Sequence, residues 1–336
     1  MYDEMRRQDR IHVALADVFP FDRHKEETDM TLIYAHPVAS RHRTPAGHPE
    51  RVDRLEAVER GLSGLTLTRR LSPLAAETDV LRCHPQEYID RIRKAEPVSG
   101  NVQLDPDTWM SPGSYEAGLC AVGGACAAVD AVLAGEAKTA FVVARPPGHH
   151  AETATPMGFC LFGTVAIAAK RALDHHGLTR VAVVDFDVHH GNGTQDILWN
   201  EARALFVTSQ QMPLWPGTGD RSETGAHGQI INIPLAPYSD GQVMRAAYEA
   251  DVFPALDAWK PELILISAGF DAHADDPLAQ LNWREADFAW LTHRLCDLAA
   301  KHAQGRVVSC LEGGYDLDAL TTSVAAHVGV LQERGL

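Results

Sequence analysis

The stretch Val181-Ala-Val-Val-Asp-Phe-Asp-Val-His-His-Gly-Asn-Gly193 decides the fold of this chain. Its four apolar residues, 181–184, predict a buried parallel strand, and the Gly/Asn run after it predicts a turn. On extended backbone Asp187 and His189 would face one side and His190 the other. This Asp/His pair suits Zn²⁺ or another divalent first-row ion, although an Asp that caps a helix beside a core His explains it equally well.

Elsewhere in the chain, six other short apolar runs alternate with helical segments. The seven predicted strands are 31–34, 139–144, 181–184, 205–209, 230–233, 262–267 and 306–311. This alternation predicts an α/β fold: a single domain with a mostly parallel sheet and helices on both faces. Four of the strands end in unusual polar motifs, at 145–150, 185–190, 268–271 and 312–315. Ligands of such sheets bind at the carboxyl ends of the strands, so the coincidence favours the metal interpretation.

The residues at these strand ends can support hydrolysis. Three of them are candidate metal ligands that leave a fourth position open: Asp187, His189 and Asp271. His149 and His150 are candidate proton carriers, because an imidazole near neutral pKa can take a proton from water and return it to an amine. Tyr315 follows two glycines and is a candidate hydrogen-bond donor to a developing oxyanion, although for this Tyr considered alone, packing on the sheet at the start of a helix is the better explanation.

Composition narrows the functional classes. The chain has 336 residues, 30 Lys+Arg and 45 Asp+Glu, hence a formal charge of −15, and no basic run interleaved with aromatics. This argues against a nucleic-acid partner. The six cysteines form no Cys-x-x-Cys pair, which is typical of reduced core thiols. No apolar stretch approaches membrane-spanning length, so we expect no membrane association and a cytoplasmic protein.

The first thirty residues differ in character from the rest. Residues 1–30 mix acids and bases, which predicts an N-terminal arm, whereas residues 31–336 form the catalytic domain. Such an arm can pack on a neighbouring copy of the chain, so a homo-oligomer is one of the assemblies compatible with the sequence. His36 and His42 lie in a polar loop after the first strand and are predicted to be solvated.

Six motifs together resemble the zinc-dependent histone deacetylase superfamily, which includes bacterial deacetylase-like amidohydrolases and acetylpolyamine amidohydrolases. They are Arg-Pro-Pro-Gly-His-His at 145–150, Gly-Phe-Cys-Leu-Phe at 158–162, Asp-Phe-Asp-Val-His-His-Gly-Asn-Gly-Thr-Gln at 185–195, Pro-Gly-Thr-Gly at 216–219, Ser-Ala-Gly-Phe-Asp at 267–271 and Glu-Gly-Gly-Tyr at 312–315. The resemblance runs from about residue 31 to the end and implies an arginase/deacetylase-like fold.

The resemblance also implies roles for individual residues. One zinc per chain would be bound by Asp187, His189 and Asp271, with His149 and His150 as the tandem catalytic histidines. Asp185 would orient His149, and Asn192, typical of the class II branch, would orient His150. An apolar tunnel for the acyl chain would be lined by Gly158, Phe159, Trp215 and Tyr315. A structural K⁺ would be held by oxygens of Asp185, Asp187, His189, Thr208 and Ser209.

Two departures from the family pattern affect the surroundings of the site. Phe162-Gly163-Thr164 stands where relatives often have Phe-Asn-Asn, and Gln210 stands where many have His. Both concern the shape of the pocket and its rim, hence the acyl preference, and neither removes a ligand or proton carrier.

The leading functional hypothesis is an amidohydrolase that removes acyl groups from acyl-lysine side chains or small N-acyl amines. Acetylpolyamine specialists tend to have an acidic residue after the Asp-Pro that follows the third ligand, whereas Leu278 follows Asp276-Pro277 here. Asp275 and Asp276 lie close enough in sequence to substitute for it in part. An arginase-type ureohydrolase with two manganese ions and a non-catalytic acyl-amine binding module are the other two hypotheses.

Overall fold

A sheet of eight parallel strands runs through residues 31–336, the part of the chain that the structure describes. The structure is a computed structural model. The predicted arm at 1–30 lies outside the described residues. The strands in chain order are β1 (Leu32–Ala35), β2 (Thr68–Leu71), β3 (Val102–Gln103), β4 (Trp109–Met110), β5 (Thr139–Val142), β6 (Val181–Asp185), β7 (Ala204–Gln211), β8 (Ile230–Leu235), β9 (Leu263–Ala268) and β10 (Val307–Leu311). The strand order is β2-β1-β5-β10-β9-β6-β7-β8, and β3 and β4 form a separate antiparallel hairpin.

Helices cover both faces of the sheet, because both faces of its strands are apolar. Two large clusters of buried apolar side chains form most of the core. In β6, Val181 and Val183 belong to one of these clusters, and Ala182 and Val184 belong to the other. The α-helices are Asp53–Leu62, Glu77–Val80, Gln86–Ala95, Ser114–Leu133, Thr164–Asp174, Asn192–Leu198, Gly241–Ala247, Phe253–Trp259, Glu285–His302 and Leu317–Gly335. A 3₁₀ turn, Pro37–Arg41, follows β1, and a π-helical turn, Tyr248–Val252, joins two of the helices. The predicted α/β class with one mostly parallel sheet is confirmed.

The seven strands predicted from apolar runs are all present, but the hairpin strands β3 and β4 were not predicted, and neither was β2 of the main sheet. Its sequence is Thr-Arg-Arg-Leu, and its residues are half-buried or exposed because it lies at the edge of the sheet. An edge strand does not need a continuous apolar run, so the pattern that identifies central strands is absent there.

One helix among the described residues, Ser114–Leu133, is long and apolar enough by length and composition to cross a membrane. The fold accounts for its composition, because 72% of the apolar window is buried inside the molecule. A side chain at Gly124 would approach Val142 of β5 to 3.1 Å, so the small residues of this helix allow it to lie close against the sheet.

The four strands that end in polar motifs are neighbours in the middle of the sheet. They are β5, β10, β9 and β6, and all four are parallel. Their carboxyl ends therefore meet at one edge, as the sequence predicts for a binding site.

Candidate metal centre and active site

Three buried side chains at this edge converge on one point. Asp187 and His189 follow β6, and Asp271 follows β9; one donor atom from each lies within 4.8 Å of the other two. His189 Nδ1 lies 3.1 Å from Asp187 Oδ1 and 3.1 Å from Asp271 Oδ2. The structure thus brings together the three residues predicted as ligands.

The orientation of these residues is set by hydrogen bonds from aspartate side chains to the backbone, and not by the alternation of side chains along a strand. β6 ends at Asp185, and the Asp187 N–H then donates to Asp185 Oδ1 over 3.0 Å. The His189 N–H repeats the pattern by donating to Asp187 Oδ1 over 2.9 Å. Aspartates commonly form such bonds with the backbone two residues on. The prediction of extended backbone through 189 is wrong, although His190 does turn away and bonds Thr218 Oγ1 at 2.7 Å.

The donor set fits a divalent metal ion. Burial and, after it, the charge of Asp187 raise the pKa of Asp271 to about 7. Burial alone would lower the pKa of His189, but the two carboxylates outweigh it and raise that pKa to about 10. Both raised pKa values show that positive charge is favoured among these donors. A bound cation would supply that charge.

The backbone shapes the same site. The Gly313 N–H donates to Asp187 Oδ2 over 2.8 Å, and the Val188 N–H donates to Asp271 Oδ1 over 2.9 Å. A Cβ at Gly313 would lie 2.5 Å from Asp187 Oδ2 and would also crowd Asp271. Both aspartates are thus held by backbone amides, and position 313 has room only for glycine.

The tandem histidines lie beside the triad, each with the partner predicted for it. His149 Nδ1 lies 2.9 Å from Asp185 Oδ2, and His150 Nδ1 lies 2.7 Å from Asn192 Oδ1. The two rings are 3.8 Å apart between centroids. Glu312 supports them from below, because its Oε2 accepts the N–H of His149 at 3.1 Å.

The two partners give the histidines different charge preferences. Burial lowers the pKa of His149, but the charges of Asp187 and Asp185 prevail and hold that pKa well above its usual value. Burial also lowers the pKa of His150, and the positive charges of His149 and His189 lower it further, to well below the usual value. A neutral Asn192 offers His150 no compensating charge, so His150 is the histidine suited to accept a proton.

Glu152 fixes the amide of Asn192 and was not predicted as a site residue. Asn192 Nδ2 donates to Glu152 Oε1 over 2.9 Å, which leaves Oδ1 to face His150. An amide oxygen can only accept, so His150 Nδ1 must carry the proton and Nε2 must be the free base. Glu152 lies two residues after His150, but nothing in the sequence alone indicates which nearby acid reaches Asn192.

Tyr315 lies at the end of β10, on the same edge as the triad. Its ring stands 5.8 Å from that of Phe159, edge to face, and Arg54 Cζ lies 5.0 Å from its centroid. Arg54 also donates to the carbonyls of Glu312 and Gly314, which fixes the loop before Tyr315. Within residues 31–336 the Tyr315 hydroxyl makes no hydrogen bond, so it can donate to a ligand.

The predicted tunnel residues surround these groups. Phe159 adopts φ of +69°, which is strained for a bulky residue, whereas Gly158 adopts φ of +57° without strain; a Cβ at Gly158 would lie 2.7 Å from Trp215 and collide with His150. Trp215 is 42% exposed, and its ring lies 4.8 Å from that of His150. Leu278 is half-buried, and its N–H donates to Asp276 Oδ1.

The residues predicted to hold K⁺ cluster on two neighbouring strands. Asp185 of β6 is paired in register with Thr208 of β7, and both are fully buried. Ser209, the next residue of β7, is buried, and its Oγ lies 2.8 Å from the Tyr248 hydroxyl. The K⁺ site stays a prediction.

A buried ion network supports the histidine loop. Arg145 contacts both oxygens of Glu50, at 2.6 and 3.0 Å, and Arg54 lies 3.3 Å from the same carboxylate. Burial opposes the charge of Glu50, but Arg145 holds the pKa of this carboxyl well below its usual value. His42 is only 1% exposed and lies 3.4 Å from Glu50, so the prediction that it is solvated is wrong.

Comparisons with known proteins agree with this geometry. Residues 48–331 match the family model described as "Histone deacetylase domain". A "Histone deacetylase-like amidohydrolase" of Pseudomonas aeruginosa is 42% identical over 279 residues, which cover 80% of this chain and 73% of that protein. A "Probable deacetylase" of Archaeoglobus fulgidus is 38% identical over 298 residues, 86% of this chain and 82% of that one. A crystal structure of an HDA15 HD domain aligns with a TM-score of 0.86 at 29% identity, covering 91% and 90% of the two chains. The chain therefore belongs to the histone deacetylase family.

Proposed function

We propose that this chain, a hydrolase of the histone deacetylase family, removes acyl groups from acyl-lysine side chains or small N-acyl amines with the help of one zinc ion. The observation that carries the proposal is the convergence of Asp187, His189 and Asp271 beside the proton-accepting His150. These three residues would hold the ion. Zinc, when bound, supplies a Lewis acid that acidifies water and polarises an amide carbonyl.

His150 performs the proton transfers in this proposal. Its free Nε2 takes a proton from the water that attacks the amide carbon and later gives it to the leaving amine nitrogen. Asn192 and Glu152 keep the ring in the tautomer that this requires. His149, paired with Asp185, stays charged and favours the build-up of negative charge nearby.

Tyr315 acts on the other side of the amide. Its hydroxyl donates a hydrogen bond to the carbonyl oxygen as negative charge develops there. Phe159 and Trp215 wall the approach for the acyl-bearing chain, and Gly158 keeps that approach open. A structural K⁺ held near Asp185 and Thr208 would neutralise part of the buried negative charge below the triad.

The acidic residues at the rim favour this substrate class over acetylpolyamines. Asp276 is buried, and backbone amides occupy both of its oxygens. Asp275 is exposed and pairs with Arg284 at 2.9 Å. Asp276 is therefore not free to bind a distant ammonium, and Leu278 has no charge. The sequence leaves open that Asp275 or Asp276 replaces, in part, the acidic residue that acetylpolyamine specialists have at the position of Leu278. The contacts of Asp276 do not support that role for it.

The two other hypotheses have less support. An arginase-type ureohydrolase needs a second metal, whereas residues 31–336 hold a single group of three clustered donors. A binding module has no use for a histidine held in one tautomer or for an unpaired tyrosine hydroxyl. Both features favour catalysis.

Deacylation of an acetyl-lysine peptide, measured with and without a chelator, tests the proposal. We expect turnover that the chelator abolishes and zinc restores, with one zinc per chain. His150→Ala should keep its zinc and lose about 10² to 10⁴ in kcat. No deacylation by the zinc-loaded protein, or two divalent metal ions bound at the site of each chain, would contradict the proposal. A more than tenfold higher kcat/KM for N-acetylputrescine, about 1.4 kcal/mol, would favour a polyamine substrate.

A further inference from the structure

Asp276 is a buried carboxylate outside the triad that binds only backbone N–H groups. It is 6% exposed. Its Oδ2 accepts the N–H of Tyr315 at 2.7 Å and that of Asp316 at 3.3 Å, and its Oδ1 accepts the N–H of Leu278 at 3.0 Å. No Lys or Arg within residues 31–336 forms an ion pair with it.

Burying a carboxylate costs free energy unless hydrogen bonds replace those it made with water. Here they connect two loops of the site. One loop follows β9 and carries Asp271; the other follows β10 and carries Tyr315. Gly313 and Gly314, the latter at φ +116°, leave the second loop with unusual backbone freedom. The Asp276 carboxylate is the contact that fixes the backbone of Tyr315 itself.

We propose that Asp276 is a positioning residue that acts through Tyr315. It holds the Tyr315 backbone so that the hydroxyl faces the carbonyl oxygen of the substrate. The inference rests on the function proposed above for Tyr315. Asp276 does not touch the substrate, because backbone amides occupy both of its oxygens.

A double-mutant cycle separates this role from a general structural one. The variants are Asp276→Ala, Tyr315→Phe and the combination, with kcat and KM measured on the acetyl-lysine peptide in the zinc-loaded protein. We expect Asp276→Ala to lower kcat by at least about tenfold, up to the 10² to 10³ of a lost oxyanion donor, and to change KM by less than about threefold. In the Tyr315→Phe background the same substitution should cost less than about twofold, because the interaction it supports is already gone.

Asp275→Ala is the matched control, since this neighbouring acid is exposed, pairs with the exposed Arg284 and accepts no hydrogen bond from the Tyr315 loop; its kcat should match the wild type. Should Asp276→Ala not fold, the same cycle is run with Asp276→Asn, which keeps one acceptor oxygen and should lower kcat less. Equal losses of kcat in the wild-type and Tyr315→Phe backgrounds, or a normal kcat in Asp276→Ala, would overturn the role of Asp276 and leave the proposed function intact. A normal kcat in Tyr315→Phe by itself would overturn the role proposed for Tyr315, and this inference with it.

Discussion

Asn192→Asp should move the acid limb of the pH–rate profile upward. Asn192 is buried, and its Oδ1 lies 2.7 Å from His150 Nδ1. An aspartate there would place a negative charge beside the imidazole in almost the same volume. The charged form of His150 would become more stable, so its pKa would rise and the free base would appear only at higher pH.

The size of this change follows from the geometry. Two unit charges with centres about 4 Å apart interact by about 4 kcal/mol at an effective dielectric constant of 20. Glu152, which faces the Asn192 amide at 2.9 Å, would oppose the new charge and reduce its effect. We therefore expect the acid limb of kcat/KM to move up by about one to three pH units.

The measurement is kcat/KM on the acetyl-lysine peptide between pH 5 and 9, with zinc content and Tm determined for each protein. Asn101→Asp makes the same chemical change at an exposed position and controls for net charge. If the acid limbs of Asn192→Asp and the wild type coincide while zinc and Tm are unchanged, then His150 does not control that limb. The assignment of the proton acceptor would be wrong.

Other predictions follow from the same contacts. Asp187→Ala or Asp271→Ala should lose bound zinc and activity together, because two donors cannot hold the ion in an open site; full zinc occupancy by metal analysis would remove the residue from the ligand set. Tyr315→Phe should lower kcat by about 10² to 10³ at nearly constant KM, and a near-normal rate would leave this residue only a packing role. Glu50→Gln should lower the free energy of unfolding by about 3–5 kcal/mol in urea titrations, because two buried guanidinium groups lose their counter-charge; a loss below about 1 kcal/mol would show that the network relaxes. Chelation should lower Tm, since zinc at about 100 times its Kd contributes about 2.7 kcal/mol, and an unchanged Tm would argue against a metal bound in the folded state.

The sequence predicts the central part of this molecule well because burial leaves a strong pattern there. Strands covered on both faces appear as continuous apolar runs, and parallel strands bring their carboxyl ends to one edge. Asp187 and His189 after β6 and Asp271 after β9 could therefore be placed together from two separate strand ends. The reason given for the Asp187/His189 pair was nevertheless wrong, since hydrogen bonds from aspartate side chains to the backbone, and not alternation, orient them. The edge strand β2 shows the limit, because half-exposed strands carry no such pattern.

The supporting acids could not be predicted, because their roles depend on which backbone amides the fold brings to them. Asp275 and Asp276 are adjacent in sequence and identical in chemistry, yet one is exposed and paired with Arg284 while the other is buried under Tyr315. Glu152 likewise acquires its role only because Asn192, forty positions later, is folded against it. A short-range pattern identifies groups that do the same thing in every context, such as apolar side chains and convergent strand ends. It does not identify groups whose role depends on a contact distant in sequence. The substrate preference proposed for this chain depends on such distant contacts at Asp275 and Asp276, and for that reason the rim must be tested residue by residue.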